Sequence, residues 1–489
     1  MKKIKARKIV SLIMVFTMVL SLVHINVWTI TVEAAVTKTV RSATDFGSTE
    51  TVTIKDKNGS NKNVEVIVVG AGVYTLENDV TIGCPLYVAN GVEVTIIFAG
   101  NTLSRSLSKA VDNGNIIINE GKLTLGSASD TGYISGGWST YTGTAVGGIY
   151  VYGSSDVEFG SSETVLTNYV NISNNKAYYG GGVAVYNGTF TNYGVIENNE
   201  SSSNGGGVYA ANSTIANYGK IQGNKATNNG GGLYFSESVK FINENIICNN
   251  EATYAGGMQA CAGSIVENSG EISSNKATSD AGGVYVDGLS KPSKFTNLQN
   301  GKILNNKAGR FGAGIYIGRY VECINQGLID SNSSDSNGGG VSNGNDSHFT
   351  NEGTISNNYA DTNGGGIYMS NNNASVTNRG KIINNTANNG GGIYCDKSPC
   401  TLEDGTVITG NKVKIRTDAN GDHESFGGGI YNRKQILVSG KVIVSGNTNI
   451  SKENKSDNIT IETSNGAKVV FLNNLSEESE IGVNSIIND

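Results

Sequence analysis

A glycine followed by an aliphatic residue and usually Tyr, as in Gly364-Gly365-Gly366-Ile367-Tyr368, recurs along this chain at Gly148, Gly182, Gly207, Gly232, Gly257, Gly283, Gly314, Gly340, Gly366, Gly392 and Gly429. Most of the intervals are 25 or 26 residues, so the chain is a repeat protein in which each unit contacts only its neighbours. A sustained repeat overrides the usual division of 489 residues into several globular domains and predicts one elongated body.

The residue after each glycine is aliphatic or Met, from Ile149 and Val183 to Ile393 and Ile430. Two positions on, Val151, Val185, Ala210, Phe235 and Val286 continue an apolar column that Asn343 and Asn432 interrupt. This period-two pattern predicts a strand with both positions turned inward. A second strand carries apolar-x-Asn, as in Phe190-Thr191-Asn192, and a third carries Ile-x-x-Asn-x-small, as in Ile221 to Ala226. Glycine triplets and pervasive Asn exclude a helical repeat of this length.

A single coil of three such strands cannot bury its apolar side, so coils must stack with equivalent residues about 4.8 Å apart. The expected fold is all-β, a single-stranded right-handed parallel β-helix solenoid of about 14 coils, roughly 65 Å long. The Ile-x-x-Asn column then places Asn175, Asn199, Asn224, Asn250, Asn275, Asn306, Asn332, Asn358, Asn385, Asn411 and Asn447 above one another. Stacked amides can bond to each other and to the turn backbone, and Asn tolerates a left-handed conformation there. The column Asn168, Asn192, Asn217, Asn243, Asn268, Asn297, Asn325, Asn351 and Asn378, then Asp404, predicts a second ladder.

Residues 1–35 combine Lys2, Lys3, Lys5, Arg7 and Lys8 with an apolar run from Ile9 to Val23 and end at Ala34-Ala35. This pattern predicts a secretory signal peptide, too short to be a membrane anchor. Residues 36–146 are expected to form a cap and irregular opening coils, 147–450 the regular array, and 451–489 a closing coil and cap. Without the signal, 31 basic face 41 acidic residues with no basic cluster, which argues against nucleic acid or an anionic membrane as partner. No further membrane span is expected after cleavage. Cys84, Cys248, Cys261, Cys323, Cys395 and Cys400 match no zinc spacing. Cys395 and Cys400 are close enough in sequence to bridge, and scattered thiols are the alternative.

Alternation turns one position of the first strand outward, and it holds Tyr150, Tyr209, Tyr234, Tyr285, Tyr316, Tyr368, Tyr394 and Tyr431, with Ala184, Gln259 and Ser342 between them. A stripe of phenol rings offers rigid amphipathic area for a sugar or a protein surface. It can equally support the sheet through pairs between neighbouring strands. Two insertions lengthen the repeat, one around Gly288 to Lys294 and one from Lys412 to Phe426. The second contains Asp422-His423-Glu424 and also Asp418, Asn420 and Asp422, which resemble the opening of a calcium loop but have Gly421 in the wrong place and no glutamate at the twelfth position. No cofactor is otherwise expected.

The pairing of Ile382-Ile383-Asn384-Asn385 with the run from Gly390 to Tyr394 resembles the FxxN and GGA[ILV] motifs of polymorphic outer membrane protein repeats, over about Gly147 to Tyr431. The resemblance implies an adhesive, surface-exposed β-helix that contacts an extracellular glycan or a host or bacterial surface protein. Ile stands where that family has Phe, and no segment resembling its membrane barrel follows. The opening stretch, with Ala99-Gly100-Asn101-Thr102-Leu103 and Gly121-Lys122-Leu123-Thr124-Leu125, looks like secreted right-handed β-helix proteins of Gram-positive bacteria. The pectin-lyase-like superfamily shares the architecture and implies an alternative, a polysaccharide-degrading lyase or glycoside hydrolase, with the acids of the Lys412 to Phe426 insertion as candidates. The Asn-Thr-Asp, Asp-Asp, Gly-His-Gly and Arg-Ile-Lys motifs of polygalacturonase-like enzymes are missing from the sequence, which favours a noncatalytic protein.

Overall fold

The computed structural model describes residues 36–154, 163–369, 371–418, 421–450, 454–463 and 466–486. The expected signal segment lies outside them. The strands belong to one compact unit, Thr37–Asp489, and it is a parallel β-helix.

One coil shows how the sequence closes on itself. Val208–Ala211, led in by the glycines, is followed by Thr214–Asn217, Lys220–Gln222 and Lys225–Ala226 before the next glycine-led strand, Leu233–Phe235. Each pairs in parallel and in register with its counterpart one repeat later, Val208 with Leu233, Thr214 with Lys240, Lys220 with Ile246 and Lys225 with Glu251. Four sheets of 17, 16, 15 and 12 strands result. The coil therefore has four strands where the sequence suggested three, because the Asn of Ile-x-x-Asn sits in a corner and divides its run in two.

That corner also corrects the expected role of Asn backbone. The left-handed residue is the one before each ladder Asn, as at Asn198, Asn249 and Asn357, with φ of 54°, 56° and 54°. The ladder Asn keeps a regular backbone and turns its amide into the stack. The glycine triplet is explained at Gly364 to Gly366. Gly364 adopts φ 66°, while a Cβ on Gly365 would stand 2.5 Å from the carbonyl oxygens of Gly391 and Thr386. The chain passes so close to the next coil that Gly365 and Gly366 donate their N–H groups to Gly390 and Gly391 at 3.2 and 3.1 Å. The first glycine is needed for its conformation and the second for its missing side chain.

The apolar-x-Asn sheet alone has sixteen rungs, a stack of about 72 Å at ~4.8 Å per rung. Its first strand, Thr37–Val40, pairs with Gly72–Leu76 and its last, Lys468–Leu475, with Gln435–Gly440. Both terminal segments thus contribute rungs of the solenoid itself. One continuous core runs through it, from Val40 past Ile149, Phe235, Ile315 and Ile393 to Ile461.

The opening hairpin does something the sequence did not suggest. Thr49–Lys55 and Asn61–Val68 pair antiparallel, and the end of the second strand joins the glycine-led sheet through Ile67 and Val68. The hairpin then covers the outer face of that sheet, burying Ile54, Val64 and Val66 against Tyr87, Ile118, Tyr150, Ala184 and Tyr186. This second apolar layer offers burial that a one-layer solenoid wall lacks.

Candidate binding surface

The outward position of the glycine-led strand does carry a column of tyrosines, but not all eight are available. Tyr150 is fully buried under the opening hairpin, and its hydroxyl donates to the Lys55 carbonyl at 3.0 Å. Tyr431 is only 7% exposed, with its hydroxyl bonded to Glu462 and Arg433 closing over the same carboxylate at 2.9 Å. Both are structural, Tyr150 because a hairpin 95 residues earlier folds over it and Tyr431 because Glu462 of the adjacent strand closes on it.

Tyr209, Tyr234, Tyr285, Tyr316, Tyr368 and Tyr394 are partly exposed. Tyr209 and Tyr234 stand 5.5 Å apart, Tyr285 and Tyr316 4.8 Å, and Tyr368 and Tyr394 5.4 Å, centroid to centroid. Gln259 and Ser342 interrupt the stack, and at Ser342 the ring of Phe311 fills the gap by stacking on Tyr316 at 6.3 Å and Tyr368 at 6.2 Å. The rings support one another and still show an edge to solvent, so sheet support and a contact face coexist. Partial burial raises the phenol pKa values of Tyr209, Tyr234, Tyr285, Tyr316 and Tyr394, to about 12 at Tyr394, so these rings are uncharged and can donate hydrogen bonds at any physiological pH.

The internal ladders are complete. From Asn175 through Asn199, Asn224, Asn250, Asn275, Asn306, Asn332, Asn358, Asn385 and Asn411 to Asn447, each amide donates to the next Oδ1 at 2.9–3.1 Å. Asn447 continues to Asn458 at 3.1 Å, a rung hidden from sequence because no Ile-x-x precedes it. The second ladder runs from Asn168 to Asn378. It does not end at Asp404. Leu402 is the residue opposite Asn378, and Thr406 Oγ1 accepts the last bond at 3.3 Å.

In the Lys412 to Phe426 insertion, Arg416–Asp418 and Gly421–His423 pair antiparallel with Asp418 opposite Gly421. Asn420 lies outside the described residues. Among the described residues no three His, Cys, Asp or Glu side chains converge as a metal site, and all six cysteines are free thiols, with Cys395 and Cys400 both buried.

Two surface features escaped the sequence. Tyr169, Tyr193 and Tyr218, each next to a second-ladder Asn, stack at 4.8 and 5.1 Å with interplanar angles of 7° and 13°. Their column was legible as Asn-Tyr three times over. The other is a groove of about 860 Å³ on the outer face of the apolar-x-Asn sheet, lined by Lys240, Ile265, Lys294, Glu322 and His348 and bounded by Lys291-Pro292 of the first insertion. Tyr320 lines it in a left-handed conformation, φ 53°, and is 48% exposed. Such a conformation is strained for a bulky residue, and the insertion was its only signal in sequence.

No helix among the described residues is long and apolar enough to cross a membrane. No curated protein and no solved structure matches the chain. Residues 352–370, which span one second-ladder turn, one Ile-x-x-Asn corner and one glycine triplet, match the Chlamydia polymorphic membrane protein repeat. Over this one repeat the chain is similar to that family, and the stacked parallel strands agree with a β-helix of that kind.

Proposed function

We propose that this protein is a noncatalytic, adhesin-like β-helix, exported by its N-terminal signal and displayed on the cell surface or released, that binds an extracellular glycan or a surface protein through the tyrosine face. The observation that supports it best is the set of phenol rings between Tyr209 and Tyr394, three pairs on adjacent rungs in which each ring is fixed by its neighbour. Pre-packed aromatic rings lose little entropy on binding. The repeat similarity supports surface exposure, and because it is to a Chlamydia family it lends nothing to a Gram-positive source. Fold analogy with the pectin-lyase-like superfamily adds an architecture and no activity.

The test is binding of the purified protein to panels of glycans and surface glycoproteins, with and without Tyr234, Tyr285 and Tyr316 changed to Ser. Binding that all three changes leave intact removes the tyrosine face from the proposal. A polysaccharide-cleaving enzyme is the second reading. What favours it is the groove, whose lining includes Glu322, paired with Lys294 at 3.1 Å, and also Asp346 and His348. Incubation with polygalacturonate and other acidic glycans, with and without calcium, decides between the two, since released oligosaccharide replaces the adhesin with an enzyme.

A further inference from the structure

Trp138 is the sole tryptophan outside residues 1–35, where the chain's other one, Trp28, lies. It pairs by an isolated parallel bridge with Lys176, so it heads the outward column that continues through Lys176, Glu200 and Lys225. Together with Tyr141 and Tyr178 these side chains line a pocket of about 420 Å³ that shares no lining residue with the groove and touches the tyrosine face only through Tyr179, 4.6 Å from Tyr178 and 5.0 Å from Tyr209. Tyr141 and Tyr178 meet edge to face at 4.5 Å. Lys176 stands 5.5 Å over the Trp138 ring, and Lys57 from the opening hairpin 3.8 Å over Tyr141.

The charges are uneven. Glu200 is engaged by Lys176 at 3.0 Å, and Glu251, the next acid along the column, by Lys276 at 3.7 Å. Lys225 stands between them and makes no salt bridge among the described residues. Asp112, nearby, is held by the hydroxyls of Thr140 and Thr142 and does not line the pocket. Among the lining residues Lys176 and Lys225 against Glu200 leave one cation in surplus, in a chain of net charge -6. Aromatic walls suit the apolar face of a pyranose ring, the hydroxyls of Ser202 and Thr227 suit its polar edge, and the unengaged ammonium suits a carboxylate. Four rungs span about 14 Å at ~4.8 Å each, room for two sugar rings.

We propose that this pocket binds the carboxylate-bearing end of an acidic glycan, with Trp138, Tyr141 and Tyr178 walling one sugar ring and Lys225 meeting the carboxylate of the ring beside it. The inference stands independently of the tyrosine face. It is tested on the full chain carrying Trp28→Phe, so that indole emission reports Trp138 alone. Two matched pairs serve as probes, glucuronyl-glucose against cellobiose and sialyllactose against lactose, which separate a uronate from a sialate source. At least one acidic member is expected to shift the emission saturably and to bind about tenfold more tightly than its neutral partner, a difference corresponding to one charge-assisted contact. Lys225→Gln should abolish that preference, Tyr141→Ser should weaken both members of the pair, and Tyr368→Ser with Tyr394→Ser should change neither. No saturable shift with any probe, or equal binding of acidic and neutral partners, overturns the proposal.

Discussion

Removing one rung of the first amide ladder tests how the solenoid is held together. In Asn275→Ala, four hydrogen bonds disappear: those to Asn275 Oδ1 from the Asn250 N–H and amide, both 3.0 Å, and those from its own amide to the Ile247 carbonyl at 2.9 Å and Asn306 Oδ1 at 3.1 Å. Asn275 is 1% exposed, so water cannot readily replace them. At about 1 kcal/mol net for each neutral bond the loss is about 4 kcal/mol, and the orphaned N–H of Asn250 raises it to about 4–6 kcal/mol. Because repeat energetics are dominated by nearest neighbours, the loss should fall on the coils either side of Asn275. Hydrogen exchange read by mass spectrometry should show protection over residues 247–283 reduced by roughly a thousandfold or more, at about 1.4 kcal/mol per decade. Lys276→Ala is the control: its side chain is 57% exposed and its 3.7 Å bridge to Glu251 is worth about 0–1 kcal/mol. If Asn275→Ala loses no more protection than Lys276→Ala, the ladder is ornament and the reasoning is wrong.

Asn275→Asp keeps the acceptor facing Asn250 but turns an acceptor toward Ile247 and Asn306, so the buried carboxyl should be protonated in the fold, and the variant should gain stability as pH falls through that raised pKa. Denaturant midpoints across pH 4 to 8 check the sign. Gly365→Ala places a Cβ 2.5 Å from two carbonyl oxygens and should cost about 2–4 kcal/mol in thermal or urea unfolding, as overpacking does. Tyr150→Ala should release the opening hairpin at about 3–5 kcal/mol, visible as faster proteolysis at Asp56 to Ser60, whereas Tyr150→Phe forfeits only the bond to Lys55, about 1 kcal/mol. Glu120 accepts from the Tyr87 hydroxyl at 2.8 Å, and burial raises its pKa. Its protonated form therefore contributes stability that is full below the unfolded pKa and lost as pH rises through the folded one. The melting temperature of Glu120→Gln relative to wild type should accordingly rise between pH 4 and pH 8.

Most of the fold was legible because a solenoid repeats its reasons. The inward Ile149 and Val183, the glycines and the Asn-275-type corner recur often enough for one residue column to be checked against the next. What could not be read came from single events. Nothing about Thr49–Lys55 announces that it will fold over Tyr150, since that contact joins segments about a hundred residues apart and happens once. The same holds for Glu462 closing on Tyr431, and for Asp404, where one slip of register moved the expected rung to Thr406. The pocket at Trp138 forms where an irregular opening coil meets the regular array, and Trp138 joins the Lys176 column through a single bridge that no repeat spacing announces. Period-two alternation told inside from outside; it could not tell exposed from covered.

The tyrosine face is the proposed contact surface of this protein. Beads coated with the protein should adhere to a glycan or glycoprotein surface selected from the binding panels, and beads coated with a folded variant carrying Tyr285, Tyr316, Tyr368 and Tyr394 as Ser should lose at least about tenfold in adhesion, since each stacked ring contributes about 0.5–1.5 kcal/mol beyond its buried area. Equal adhesion of the two, with circular dichroism showing the same β-helix in both, contradicts the account.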